Sequence, residues 1–324
     1  MEFLIIWKVT LGIAAESPQS RFWACEDLQR KARPASWAGN ANQKGEQEQN
    51  INKLNFILKL MNFDHKIIWI TGASSGIGKS LALALSKQQT KLILSSRNEK
   101  ELNAVKNSCE NPENIKILPL DLENYKSLSG KVDEALALFG GVDVLFNNGG
   151  ISQRSFAKET SIEVDERIMD INYLGTVALS KALLPHFIEK NSGYFVVITS
   201  IVGKIGSPLR SSYAASKHAL HGFFDSLRAE VYQNNIKITL ACPGFVQTNV
   251  SLNALTADGT PQNKMDSATK NGLTPEVFVQ NLLKAVRQEK QEVYIGGFKE
   301  KLAVYVKRFF PKLLSKMIRK LAVT

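Results

Sequence analysis

The sequence predicts an α/β fold: a single doubly wound domain on a mainly parallel sheet of about seven strands. Short apolar runs rich in β-branched residues alternate with stretches of helical period, which carries most of that prediction. The helical stretches are long enough to cross over between parallel strands, and no internal repeat competes with this reading. A glycine-rich turn also stands where the first strand meets the first helix.

In chain order, Lys66–Thr71 (KIIWIT) reads as the first strand and Gly78–Lys87 as the helix after it. Lys91–Ser96 is the second strand, followed by a helix over Asn98–Ser108. Ile115–Leu120 is the third strand, Lys126–Phe139 a helix and Val142–Phe146 the fourth strand. One long helical stretch, Ser161–Glu189, leads to a fifth strand at Gly193–Ser200. Tyr213–Gln233 is helical and Lys237–Cys242 is the sixth strand. Pro275–Gln288 is a helix, and Glu292–Ile295 closes the series as a seventh strand. Strands this apolar are buried on both faces, and right-handed crossovers then give a Rossmann-type sheet whose ligands sit at the carboxyl ends of its strands.

Three segments follow from composition. Residues 1–60 read as an irregular leader, disordered or lying upstream of the true start. The apolar run Met1–Ala15 lacks the basic flank of a secretory signal and is short for a bilayer span, though an N-terminal anchor stays open. Residues 61–297 form the Rossmann-type domain, and residues 298–324 a basic amphipathic tail. The tail carries eight of the basic residues, from Lys299 to Lys320, against Glu300 alone. That concentration, within a net charge of +11, argues against a nucleic-acid-binding face and for a membrane-surface contact or for packing on the folded domain or a second copy. Leu302, Tyr305 or Val306, Phe309, Leu313, Met317 and Leu321 recur at helical spacing, and Pro311 is expected to kink or restart the helix. The three cysteines, Cys25, Cys109 and Cys242, lie far apart without zinc or redox spacing, so no metal site or disulfide framework is expected and a cytoplasmic setting, peripheral to a membrane, fits. Of four histidines, His218 and His221 are expected on a helix surface.

The segment Thr71-Gly72-Ala73-Ser74-Ser75-Gly76-Ile77-Gly78 has the chemistry of a pyrophosphate cradle. Gly72 permits the tight turn, Gly76 lets the backbone approach a phosphate, and Gly78 lets helix and sheet pack closely. Its spacing resembles the TGxxxGIG signature of the short-chain dehydrogenase/reductase family, which implies an oxidoreductase using a nicotinamide dinucleotide. The second strand ends Leu94-Ser95-Ser96-Arg97 with no carboxylate to hold ribose hydroxyls. Arg97 is placed to pair with a 2′-phosphate, and the small serine hydroxyls leave room for it, so NADP(H) is expected over NAD(H). By the same resemblance Asp121 and Leu122 meet the adenine. Asn148 and Gly149, in Asn147-Asn148-Gly149-Gly150, stand for the family's NNAG, with Gly149 in place of alanine. Pro243, Gly244, Val246 and Thr248 resemble the PGxxxT segment that positions nicotinamide.

Reducing a carbonyl requires a proton donor beside the oxygen. Tyr213 and Lys217, four apart on a predicted helix, share a face, and the Lys217 ammonium is expected to lower the phenol's pKa and hold the nicotinamide ribose. Ser200, at the end of the fifth strand, is placed to hydrogen-bond the substrate oxygen. Asn172 matches the family asparagine of the proton relay. The long segment Phe245–Thr274 is expected to form the substrate lid. Arg154 and Arg210 are expected near the mouth, either solvated or meeting a substrate phosphate. Pro243–Gly259 and Leu302–Tyr305 resemble the member-7 branch of the family, which includes acyl-dihydroxyacetone-phosphate reductases beside enzymes of retinoid and steroid ketones. The resemblance implies a small hydrophobic carbonyl or alcohol substrate and assembly as a homo-oligomer. An NAD-linked alcohol, steroid or retinoid dehydrogenase and a catalytically silent dinucleotide-binding protein are the alternatives.

Overall fold

The structure, a computed structural model, describes residues 61–319. The expected leader, residues 1–60, and the last five residues of the tail lie outside that range.

Seven strands form one sheet, every neighbouring pair parallel. They are β1 (Ile67–Thr71), β2 (Lys91–Ser95), β3 (Ile115–Ile117), β4 (Val144–Asn147), β5 (Gly193–Ile198), β6 (Ile236–Pro243) and β7 (Glu292–Ile295). Their order, β3-β2-β1-β4-β5-β6-β7, reverses direction between β1 and β4, which is where a doubly wound sheet opens a ligand crevice. Alternation along each strand divides the core between two faces. On one face Ile68, Ile70, Leu92 and Val196 meet α1 (Gly76–Leu85), α2 (Glu99–Ser108) and, through Phe278 and Leu282, α8 (Pro275–Arg287). On the other, Trp69, Ile93, Leu145 and Phe195 meet α3 (Leu128–Phe139), α5 (Gly175–Glu189) and α6 (Ser211–Glu230).

Differences from the predicted boundaries have local causes. β3 stops at Ile117 although the apolar run continues, because Pro119 has no N–H for the ladder. Leu118 and Leu120 still donate to Leu94 of β2 and to Ser96 just past it, at 3.0 and 3.2 Å. The helix predicted over Ser161–Glu189 is helical throughout but not one α-helix. It runs as α4 (Ile162–Met169), a π turn (Asp170–Leu174) and α5. Between β6 and α8 only the short α7 (Ser267–Lys270) interrupts an irregular segment. After β7 the chain forms α9 (Phe298–Phe309) and α10 (Pro311–Ile318), restarting at Pro311 as expected.

Candidate active site

The glycine turn after β1 is shaped by contacts that leave no room for side chains. Gly72 and Gly76 have φ of 63° and 52°, values a side chain disfavours. A Cβ on Gly78 would lie 2.2 Å from the Gly72 carbonyl oxygen, and one on Gly72 would lie 2.8 Å from the Gly149 Cα. Thr71 braces the turn from behind: its Oγ1 accepts from the amides of Asn148 and Gly149, both at 3.0 Å. The Asn148 side-chain amide donates to the Thr71 and Gly72 carbonyls at 3.0 and 3.1 Å. The turn therefore delivers α1 with its N-terminus open: Ser75 at the cap makes no side-chain cap bond, and the first turn holds no acid. Unsatisfied N–H groups and the positive end of a helix dipole are what a phosphate requires. The residues present thus fit a dinucleotide. We expect Gly78→Ala to abolish dinucleotide binding in a titration, because its methyl meets backbone. Gly149→Ala meets only the Leu122 Cδ1, at 2.6 Å, and should cost at most about 1 kcal/mol.

A cleft of about 630 Å³ opens along the carboxyl ends of the strands. All the residues predicted for cofactor or chemistry line it except Thr71, Gly78 and Asn172, which stand behind its wall. Arg97 is exposed at the nucleotide end, with Ser96 beside it. Ser95 does not reach the cleft: it is fully buried, and its hydroxyl accepts from the Trp69 indole at 2.8 Å. Only Ser96 of the two serines leaves the room expected of both. Asp121 forms a local turn, its Oδ1 accepting from the Glu123 amide at 3.1 Å.

At the other end of the cleft Ser200, Tyr213 and Lys217 come together. Ser200 sits just past β5 and its Oγ accepts from the Val202 amide at 3.1 Å. Tyr213 lies in the first turn of α6, one turn before Lys217. The Lys217 Nζ is 5.9 Å from the phenol ring centre and donates to the Ile198 carbonyl at 2.9 Å. Burial lowers the ammonium's pKa to about 8. Burial also raises the Tyr213 phenol, opposed first by the Ser200 hydroxyl, then by the Arg210 and Arg154 guanidinium charges. The two arginine charges near the phenol were not anticipated beside Lys217.

Asn172 lies on the π turn, fully buried. Its Oδ1 accepts from the Ile151 amide at 2.8 Å, and its Nδ2 donates to the Ile151 carbonyl at 2.9 Å and to Ser216 Oγ at 3.1 Å. It thereby ties the loop after β4 to α6. A second tie was not legible in the sequence. Gln153 is fully buried, and its Oε1 accepts from the Ser212 and Tyr213 amides at 2.9 and 3.4 Å, capping α6 where Arg210 makes no side-chain cap bond. Nothing in the local sequence marks a cap that comes from another loop.

Arg154 and Arg210 are neither solvated nor aimed at a substrate phosphate. Their side chains, 5% and 3% exposed, converge on Asp266, which is 2% exposed and belongs to the predicted lid. Burial alone would raise the Asp266 carboxyl; hydrogen bonds from Arg154 and Gln262 and the two cationic charges outweigh it and hold the pKa low. The lid is thus clamped at its far end to the loop after β4 and to the residue before α6. His221 is likewise buried rather than on a surface. With Cys242 and Glu292 it brings possible ligand atoms within 4.8 Å of one another. His221 lies 3.4 Å from Glu292 and 3.7 Å from the Cys242 sulfur; Glu292 also pairs with Lys204 at 2.6 Å and accepts from Tyr294, and burial pushes the Cys242 thiol up to about 12.

Residues 66–258 match the family model described as short chain dehydrogenase. A "Dehydrogenase/reductase SDR family protein 7-like" of Anopheles gambiae is 42% identical over 263 residues, covering 79% of this chain and 83% of that protein. "Dehydrogenase/reductase SDR family member 7B" of Bos taurus is 41% identical over 259 residues, 78% of this chain and 80% of that protein. Among solved structures, a short-chain dehydrogenase/reductase of Burkholderia phymatum in complex with NAD superposes with a TM-score of 0.69 at 22% identity, covering 78% of this chain and 96% of that one. An alcohol dehydrogenase of Thermococcus sibiricus, complexed with 5-hydroxy-NADP, gives 0.61 at 22% identity over 72% of this chain and 97% of that one. Likeness at that identity speaks for the fold, and the sequence relatives speak for the family. With the glycine turn and the Ser200, Tyr213 and Lys217 cluster opening onto one cleft, this chain belongs to the short-chain dehydrogenase/reductase family of oxidoreductases, among relatives named as its member 7 and 7B.

Proposed function

We propose that the protein is an NADP(H)-dependent reductase that interconverts a hydrophobic ketone or aldehyde and its alcohol, with Tyr213 as acid/base. The observation that carries the reading is the shared cleft: the glycine turn at one end, Ser200, Tyr213 and Lys217 at the other. When bound, the nicotinamide gives or takes the hydride. The chain's own residues handle charge and proton. Ser200 donates a hydrogen bond to the substrate oxygen, and the Tyr213 hydroxyl gives that oxygen a proton in reduction and takes it back in oxidation. Lys217 holds ribose hydroxyls, and Asn172 keeps the loop after β4 and α6 in register. Ile151, Val250, Leu255 and Pro261, which line the cleft, favour an apolar substrate, a lipid carbonyl included. Assembly as a homo-oligomer and work on the cytoplasmic side belong to the same reading. The test is oxidation of NADPH across a panel of lipid, retinoid, steroid and small ketones; consumption with none of them counts against it.

The choice of NADP(H) rests on Arg97 at the rim and on the absence of a carboxylate at the end of β2. A charge-assisted hydrogen bond contributes about 1.5–3 kcal/mol, so Arg97→Asp is expected to shift the NADPH/NADH preference in kcat/KM about tenfold to a hundredfold or more toward NADH. An unchanged ratio would mean that Arg97 does not read the 2′-phosphate, leaving the NAD-linked reading ahead.

A further inference from the structure

The tail carries two apolar faces, and the described residues cover only one of them. Ala303, Val304, Val306 and Leu314 pack against Ile201, Ile205, Cys242 and Tyr294. Phe298, Leu302, Phe309, Phe310, Leu313 and Met317 point away, each 46–78% exposed, while the half-exposed Tyr305 ring meets Tyr294 edge-on at the boundary of the two faces. Their spacing makes one stripe along α9 and α10. The basic residues of the described tail, Lys299, Lys301, Lys307, Arg308, Lys312, Lys316 and Arg319, are all exposed around it, with Glu300 as the single acid. That acid is turned inward, accepting from the Gly297 amide and, at 3.5 Å, from the Phe245 amide. The outer surface of the tail is therefore uniformly cationic between its aromatic and aliphatic side chains. An exposed apolar patch of this kind marks an interaction surface, and its charge selects an anionic one.

We infer that α9 and α10 lie on an anionic phospholipid surface, with the stripe immersed at the level of the acyl chains and the lysines and arginines among the headgroups. No helix among the described residues is long and apolar enough to cross a membrane, so this contact is interfacial. The covered face gives it a consequence for the site. It is fixed to Ile201, the residue after Ser200, and Glu300 reaches the segment after β6. Docking through the outer face holds the reactive end of the sheet about one helix diameter, roughly 10 Å, from the lipid.

The test uses the full chain and co-sedimentation with phosphatidylcholine vesicles, with and without phosphatidylserine. Binding is expected only to the phosphatidylserine vesicles and is expected to fall as salt rises. Each cation near an anionic surface contributes about fivefold to partitioning, so reversing Lys307, Arg308 and Lys312 to Glu should reduce it at least about a hundredfold. Phe309→Ser with Met317→Ser should also release the protein, while NADPH binding stays at the wild-type value and reports an intact fold. Binding retained by both variants would assign the membrane contact to another part of the chain and overturn the inference. So would a wild-type chain that ignores vesicles and sediments as a dimer which the Phe309→Ser, Met317→Ser variant breaks, since the stripe would then be a subunit interface.

Discussion

Tyr213→Phe is expected to lower kcat for carbonyl reduction by about 10²–10⁴-fold and leave the Kd for NADPH nearly unchanged. The substitution removes the hydroxyl and keeps the ring, so the packing of α6 and the glycine turn at the far end of the cleft should be untouched. The phenol's surroundings also set the direction of the pH dependence. Burial holds its pKa above the ordinary value despite Ser200, Arg210 and Arg154, so the neutral phenol is available as an acid throughout the neutral range. Reduction should then be flat through neutrality and fail only in alkali, whereas alcohol oxidation, which needs the phenolate, should rise with pH. Steady-state rates in both directions, with fluorescence titration of NADPH, check this. Turnover surviving in the Phe variant would remove Tyr213 from the role of acid/base.

The largest loss of stability is expected from Asp266→Asn. The Asp266 carboxylate is the partner of two buried guanidinium groups, and removing one member of a buried ion cluster costs about 3–5 kcal/mol because the remaining charge stays desolvated. For a domain of this size that corresponds to a fall in Tm of about 6–20 °C, measurable by calorimetry. The sign with pH follows from the depressed carboxyl. Its native pKa lies below the unfolded value of about 3.9, so its stabilisation is complete above that value and is lost as pH falls through the native one. The variant should therefore be least different from wild type in strong acid. Since the clamp also joins the lid to the segment before Tyr213, KM for a bulky substrate should rise even at temperatures where the variant is folded. A Tm within 1 °C of wild type, allowing for roughly that error in the scan, would show that the arginines find another counter-charge.

The strand and helix order was legible because buried parallel strands and amphipathic crossover helices leave strong periodic signals. The residues of the cofactor cleft were legible because glycine positions are dictated by backbone contacts such as that between Gly78 and the Gly72 carbonyl. What was not legible joins segments distant in sequence. Arg154, Arg210 and Asp266 look individually like surface charges in loops, and only the folded chain brings them within reach of one another. The cap supplied by Gln153 and the buried cluster around His221 are of the same kind. Local pattern reports which face of an element is apolar, not which polar group another loop will present to it.

The π turn at Asp170–Leu174 makes chain length itself a constraint on the protein. Excising a single residue there would let the segment close into a regular α-helix with α4 and α5 nearly in place, but the wide turn that presents Asn172 would be gone. No change of side-chain type would then restore Asn172 to Ile151 and Ser216 together. The site should accordingly tolerate conservative replacements around this turn far better than it tolerates insertions or deletions in it.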